Sequence, residues 1–442
     1  MVSMSEKMAN SVDFSAFSKA KDLQKRLLFT LLALIVFRLG TYVPVPGVNP
    51  QVIGGFFQGE NAGGLVGMFN SFTGGALERM SIFVLNIIPY ITASILIQMA
   101  SFIFPQLGAL RKEGESGMRR LNQYTRYLAV VMTMFQSYGI ARGLEASGAV
   151  VMPSAGLFEL STVVSVLGGT MFVIWLSDQI TARGVGNGSS LLITVGIVSG
   201  IPMAFARLFE SGRTGAMSVG VELFVLFLVI AVVYLVVMFE RAQRRIIVQY
   251  PKRQMGARMV QNANSYLPLK INPVGVMPPI FAGTILGIPP LFAKIFGGDL
   301  TNGLWGSLFN GGWLYMTIYG VLIIFFTFFY ASLQPSTNPD EIADNLKKQG
   351  GFVAGIRPGK NTADYLGFVM TRLLVLGAAY LTILCVLPHL LMEKFNVPFV
   401  LGGTSLLIVV SVVMDTINQI QSHLLAHQYE SLIKKAKLKG RF

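Results

Sequence analysis

Ten long apolar stretches alternate with polar, glycine-rich or basic segments along this chain. They run approximately Leu27–Val45, Ser81–Phe104, Tyr127–Ala141, Leu157–Ser177, Ser189–Ala206, Val221–Phe239, Ile271–Ala293, Trp313–Leu333, Gly367–Leu391 and Phe399–Ile417. A helix needs about 20 apolar residues to cross a bilayer, and most of these stretches are close to that length. The pattern therefore predicts an all-α integral membrane protein with ten spans. One apolar stretch breaks the rule. Leu65–Phe72, "LVGMFNSF", is only about two helical turns long, is followed by Gly74-Gly75, and directly precedes the second span. It fits either a segment that enters and leaves the membrane on one side, buried within protein, or an amphipathic helix lying on the surface.

Composition supports the membrane reading. The chain has 442 residues, 53% of them hydrophobic and 13% charged, where soluble domains carry about 25% charge. Met1–Asp22 is polar, without the short apolar core and small-residue site of a cleavable signal, so the first span is expected to insert the chain. The single cysteine, Cys385, excludes an internal disulfide or a cysteine metal cluster and is expected in the core. The formal charge of +14 is explained by placement. With a cytoplasmic N-terminus, 26 of the 35 Lys and Arg residues fall in segments on that side and 6 on the other. This bias sets both chain ends in the cytoplasm and removes the need to invoke nucleic acid.

The interior lacks most of the chemistry of rival functions. An ion-coupled transporter needs ionisable groups at membrane depth. Here Asp178 and Asp415 sit at span ends, Arg126 and Arg372 lie where they can snorkel, and only Arg38 is deeper, placed for a water-filled cavity. No phosphate loop of the G-x-x-x-x-G-K-[ST] type is present, so ATP-driven work must come from a partner. "RGVGNGSS" (Arg183–Ser190) fits no nucleotide spacing and reads as a tight connector. His423 and His427 could share a helix face, but Leu424 stands where a metalloprotease has glutamate, and two histidines make a poor metal site. No catalytic set is visible at membrane depth. The expectation is a protein that is not an enzyme and needs no cofactor or metal.

Seven segments carry a resemblance to one family. They are "MFNSFTGGALERMSIFVLNIIPYITASILIQ" (Met68–Gln98), "KEGESG" (Lys112–Gly117), "QYTRY" (Gln123–Tyr127), "ITARGVGNG" (Ile180–Gly188), "LPLKIN" (Leu267–Asn272), "NPDEIADNLKKQGGFVAGIRPG" (Asn338–Gly359) and "GGTSLLIVV" (Gly402–Val410). Their order along the chain resembles that of the bacterial SecY family, the channel subunits of the Sec protein translocase. The resemblance implies ten spans in two inverted pseudo-repeat halves around a central pore, with a short re-entrant plug helix at about 63–75. It implies a cytoplasmic segment 1–26, an N-terminal half 27–206, a C-terminal half 207–420 with cytoplasmic loops at about 240–270 and 334–366, and a basic tail 421–442.

The resemblance also implies site residues. The plug would include Leu65, Met68, Phe69, Phe72, Gly74 and Gly75. A ring at the pore's waist would comprise Ile87, Ile91, Ser189, Ile193, Ile280 and Ile408. Ser189 stands where the family usually has an aliphatic residue, and its hydroxyl would wet one sector of the ring unless neighbours mask it. "NPVGVMPPIFAGTILG" (Asn272–Gly287) would be one helix of a lateral gate opening to lipid, with Asn86 and Thr92 as polar residues on the second span. Arg357, Pro358 and Gly359, with Arg244, Arg245, Lys252, Arg253 and Arg258, would contact the SecA ATPase or the ribosome. Further partners implied are SecE, SecG, secretory and membrane-protein nascent chains, and the lipid of the plasma membrane.

Overall fold

The structure is a computed structural model. It describes residues 21–49, 70, 73–146, 148–151, 154–214, 218–250, 253–255, 258–260, 265–295, 313–334, 337–395 and 403–439. Backbone alone is described at 112, 146, 207, 211, 253–255, 258–260, 265, 288–295, 388–395 and 427–439. The elements, in order, are α1 (Lys21–Gly40), α2 (Ile88–Ile103), α3 (Pro105–Lys112), α4 (Glu115–Ala146), α5 (Ala155–Arg183), α6 (Gly188–Arg213), α7 (Val219–Arg241), β1 (Gln243–Gln249), β2 (Arg253–Met255), β3 (Arg258–Val260), β4 (Ser265–Lys270), α8 (Met277–Ile295), α9 (Trp313–Leu333), α10 (Pro339–Lys348), β5 (Phe352–Val353), α11 (Lys360–Phe395) and α12 (Gly403–Lys439). Among the described residues, α5, α6, α7, α9, α11 and α12 each contain a stretch long and apolar enough to cross a membrane, and α2 with α3 forms a pair bent by 108°. The chain divides into two compact units, 1–206 with 289–299 and 408–442, and 207–288 with 300–407.

In the first unit the predicted second span is helical only from Ile88. The apolar stretch Ser81–Ile87 before it is a series of turns. Met80 and Asn86 hold positive φ (47° and 49°), which L-residues rarely adopt. This stretch instead pairs with the chain leaving α1: Val45 N donates to Met80 O at 2.8 Å and Ile82 N to Val43 O at 2.9 Å. Phe83 stacks between Phe37 of α1 and Phe172 of α5, with centroids 5.9 Å apart in both pairs. Hydropathy registers burial of this stretch but not its backbone path. α4 is also longer than its apolar run, because its polar first turns from Glu115 to Arg126 continue the same helix.

In the second unit the loop after α7 is not irregular. β1 pairs antiparallel with β4 from Gln243↔Lys270 to Val248↔Ser265, and with β5 through Val248↔Val353 and Gln249↔Phe352. The sheet order β4-β1-β5 thus joins the two long basic loops. Ile246, Val248, Leu269, Leu346, Val353, Leu366 and Met370 form the core beneath it. That core anchors the sheet to α10 and the start of α11. Helix α10 is capped by Asn338, whose side chain accepts from Asp340 N at 3.2 Å. Its acids at the first turn and lysines at the last turn suit the helix dipole. Within the same unit Phe281 meets Phe326 edge-on at 5.9 Å, and Cys385 is fully buried.

Candidate functional site

The glycine-rich connector between α5 and α6 is more than a tight turn. Its backbone amides are received by side chains from three other positions. Val185 N donates to Thr30 Oγ1 at 3.0 Å, Gly186 N to Gln419 Oε1 at 2.8 Å and Gly188 N to Thr181 Oγ1 at 2.9 Å. These partners lie on α1, α12 and α5, and Val185 packs with Leu23 and Leu424 of the outer two. Buried amides need such partners. Gly188 has no alternative residue type at its position, since a Cβ there would lie 2.0 Å from Ser177 O. The start of α6 is therefore fixed against α5, and with it Ser189 and Ile193.

The candidate waist residues divide by burial. Ile87, Ile193 and Ile408 in the first unit are 0%, 6% and 1% exposed, and Ile280 in the second is 8% exposed. Ile91 and Ser189 are only partly buried. Ile91 closes the first turn after Ile87, with Ile91 N donating to Ile87 O at 3.1 Å. Ser189 is the second residue of α6. Its amide and hydroxyl both donate to Asn187 Oδ1, at 3.1 and 2.7 Å, so its hydroxyl is masked by its own helix cap.

Of the candidate plug residues, Leu65, Met68, Phe69 and Phe72 lie outside the described residues. Gly74 and Gly75 are both left-handed, at φ 67° and 80°. A Cβ on Gly74 would lie 2.8 Å from Gly196 Cα on α6, so both conformation and space demand glycine. Arg38 Nη1 donates to Gly74 O at 2.9 Å, and Gly75 N donates to Asn70 O at 3.0 Å. Arg38 and Arg79 both lie over the Tyr42 ring, 5.1 and 4.3 Å from its centroid. The deep arginine of the first span thus holds the chain at the glycine pair.

Among the candidate contact residues, Arg244 and Arg245 are exposed on β1, and Arg357 and Pro358 are exposed beyond β5. Thr362 Oγ1 donates to Arg357 O at 2.9 Å, and Gly359 has φ 105°, which shapes the tip. Arg253 and Arg258 lie on the paired strands β2 and β3; Lys252 is outside the described residues. Just after β4, Asn272 Nδ2 donates to Glu240 Oε1 at 2.9 Å and to Gly275 O at 3.2 Å. This ties the entry to the candidate gate helix α8 to the end of α7. Thr92 is buried and spends its hydroxyl on Ile88 O at 3.0 Å, and Asn86 sits at the positive-φ turn before α2. Sequence reasoning singled out neither Thr30, Thr181, Asn187 nor Gln419; only the polarity of Thr30 within an apolar run hinted at a role.

A sequence profile of the SecY family matches residues 81–417. The protein translocase subunit SecY of Vibrio cholerae serotype O1 is 48% identical over 434 residues, covering 96% of this chain and 97% of that one. This chain belongs to the SecY family. Two solved structures share its fold. One is a SecY whose plug domain is described as stabilising the closed state of the translocation channel and maintaining a membrane seal (TM-score 0.63, 18% identity, 90% and 92% of the two chains). The other is canine Sec61 in a ribosome-channel complex from the endoplasmic reticulum (TM-score 0.60, 16% identity, 90% and 92%). The SecY-family fold confirms the all-α, ten-helix membrane class read from the sequence, and the chain is a multi-pass channel subunit of a protein translocase.

Proposed function

We propose that this SecY-family chain conducts unfolded secretory polypeptides across the bacterial plasma membrane and releases signal sequences and transmembrane segments sideways into lipid. SecA or the ribosome supplies the energy, SecE braces the two halves, and SecG completes the complex; the chain itself catalyses no reaction. The observation that carries this reading is the near full-length match to a translocase subunit, together with isoleucine at five of the six proposed waist positions. An unfolded chain presents every kind of side chain, so its conduit cannot rely on specific hydrogen bonds. A waist of isoleucines excludes water and ions, yet deforms around what passes.

In this reading the halves are 27–206 and 207–420, both chain ends are cytoplasmic, and about 63–75 is the plug that closes the outer funnel. Asn272–Gly287 is a gate helix whose glycines and prolines suit bending. Arg357, with Pro358 and Gly359, and the arginines of β1 to β3 dock SecA or the ribosome, and Lys252 and the basic tail add to that surface. The exposure of Arg244, Arg245 and Arg357 supports the assignment.

The test is a crosslink. A photoreactive amino acid is placed at Ile91 and, in a second variant, at Ile193. A secretory chain is then arrested mid-translocation in vesicles holding the complex, SecA and ATP. Adducts from both positions that require ATP are expected. Adducts from neither, with translocation intact, would overturn the pore assignment; absence of any translocation with SecE present would return a small-solute transporter to contention.

A further inference from the structure

The sheet that carries Arg244 and Arg245 is tied closely to the helices on either side of it. β1 follows α7 after a single residue, and β4 leads into α8 through Ile271–Val276. The ladder continues one step past the sheet, with Ile271 N donating to Ala242 O at 3.2 Å. Asn272 comes next and is 3% exposed. Its side-chain amide is used at both ends. Nδ2 donates to Glu240 Oε1 at 2.9 Å and to Gly275 O at 3.2 Å, and Oδ1 accepts from Gly275 N at 3.2 Å. One buried amide thus joins the last turn of α7 to the turn that opens α8. The bond to the carboxylate is charge-assisted and belongs to the stronger kind.

Packing closes the same linker from other sides. Phe239, the neighbour of Glu240, stacks on Tyr380 of α11 with centroids 4.3 Å apart and planes 5° from parallel. Val274 packs with Ala331 of α9 and Leu374 of α11. A Cβ at Gly377 would lie 2.9 Å from Ile271 O, so α11 passes directly against the linker backbone. At Gly275 the crowding ends. Its φ is 67°, and a Cβ there would meet nothing within 4 Å. Conformation, not space, demands glycine at that position. The linker is therefore held tightly up to Asn272 and stands in open surroundings where the chain turns into α8.

We infer that Asn272 is a positioning residue: its amide locks the sheet, the end of α7 and the entry to α8 into one body, so that a push on the sheet is delivered to α8, whose own freedom begins beyond Gly275. Without that amide the linker absorbs the push. The inference rests on the docking and gate roles proposed above, and names the side chain that joins them.

Substitution tests it, with amide exchange read on the purified complex and transport read in vesicles with SecA and ATP. Asn272→Asp keeps the acceptor for Gly275 N, loses both donations and sets a second carboxylate against Glu240. Exchange over Ile271–Val276 should rise about tenfold, while exchange in α9 and α11 stays within about twofold and shows the fold intact. SecA should bind within about twofold of the parent affinity, because the arginines of the sheet are untouched. The polypeptide moved per ATP hydrolysed should fall about tenfold. Asn272→Leu, which adds no charge, should lower it in the same way. Glu240→Gln alone keeps an acceptor for Asn272 and should match the parent. Combined with Asn272→Asp it supplies a donor to the new carboxylate and should restore most of the transport. A loss of SecA affinity that parallels the loss of transport would mean that Asn272 only holds the docking surface. Unchanged exchange, unchanged transport per ATP despite faster exchange, or no recovery in the double variant would each overturn the inference. Failure of the parent complex to transport would refute the functional reading and the inference with it.

Discussion

Replacing Thr30 by valine keeps the side chain's shape and removes one oxygen. That oxygen accepts from Val185 N at 3.0 Å and donates to Arg26 O at 2.9 Å. Arg26 O lies in the helix ladder, so losing the second bond matters little. Val185 is different: it is 2% exposed, and its amide is left buried without that acceptor. Such an orphaned donor costs about 1–3 kcal/mol, and the valine methyl recovers only part of this. The connector's local opening should therefore become about five- to 150-fold more frequent. Amide exchange followed by mass spectrometry reads this directly over Arg183–Leu191 in the purified complex. Thr30→Ser retains the acceptor and loses a buried methyl worth roughly 0.8 kcal/mol, so its exchange should stay close to the parent's. Gln419→Leu removes the acceptor for Gly186 N and should act similarly. The double variant should cost less than the sum, since residues in one network are coupled. If Thr30→Val exchanges like the parent while Thr30→Ser does not, packing holds the connector and the hydrogen-bond argument is wrong.

Two further outcomes follow from the same geometry. Arg38→Ala deletes a charge-assisted bond to Gly74 O in a half-buried site, worth about 1.5 kcal/mol; resting ion leak through reconstituted channels should rise on the order of tenfold, and an unchanged leak would detach Arg38 from plug retention. Leu366→Ala opens a cavity in the core under the sheet, where Leu366 is fully buried. It should cost about 2–5 kcal/mol, seen as faster protease cleavage between β1 and β4 while the membrane helices keep their far-ultraviolet signal; equal cleavage rates would mean that the sheet does not depend on this core.

Hydropathy made the helices legible because burial in lipid is read residue by residue. Trp313–Leu333 begins and ends in the structure where the apolar run does. What stayed illegible depends on distant partners. Ser81–Ile87 is as apolar as a span, yet it is turned, because it pairs with residues 43–45 and because Met80 and Asn86 adopt positive φ. No local signal announces either. The loop after α7 does carry one, since in "QRRIIVQ" the buried Ile246 and Val248 alternate with exposed neighbours. Its basic residues, which topology alone explains, overlie that period-two pattern. The connector's glycines announced a turn but not its purpose: Thr30 and Gln419 are 155 and 233 residues away from the amides they hold.

The contrast between the two glycine-rich segments of the first unit bears on how a channel can open without losing its fold. At the connector, three backbone amides are held by side chains from α1, α5 and α12. Each is worth about 1–3 kcal/mol if lost while buried, so the start of α6 is held by several such terms at once. At Gly74-Gly75 the long-range hydrogen bond among the described residues is that from Arg38, on a half-buried and therefore partly screened side chain. Two left-handed glycines there also lose little by changing conformation. A load applied to both segments by a passing polypeptide is relieved first where fewer ties must break. The glycine pair then yields while Ile193 stays in register on a helix whose cap and entry are fixed. That order would reverse if Arg38→Ala left the leak unchanged while Thr30→Val raised it, since the connector would then be the segment that yields.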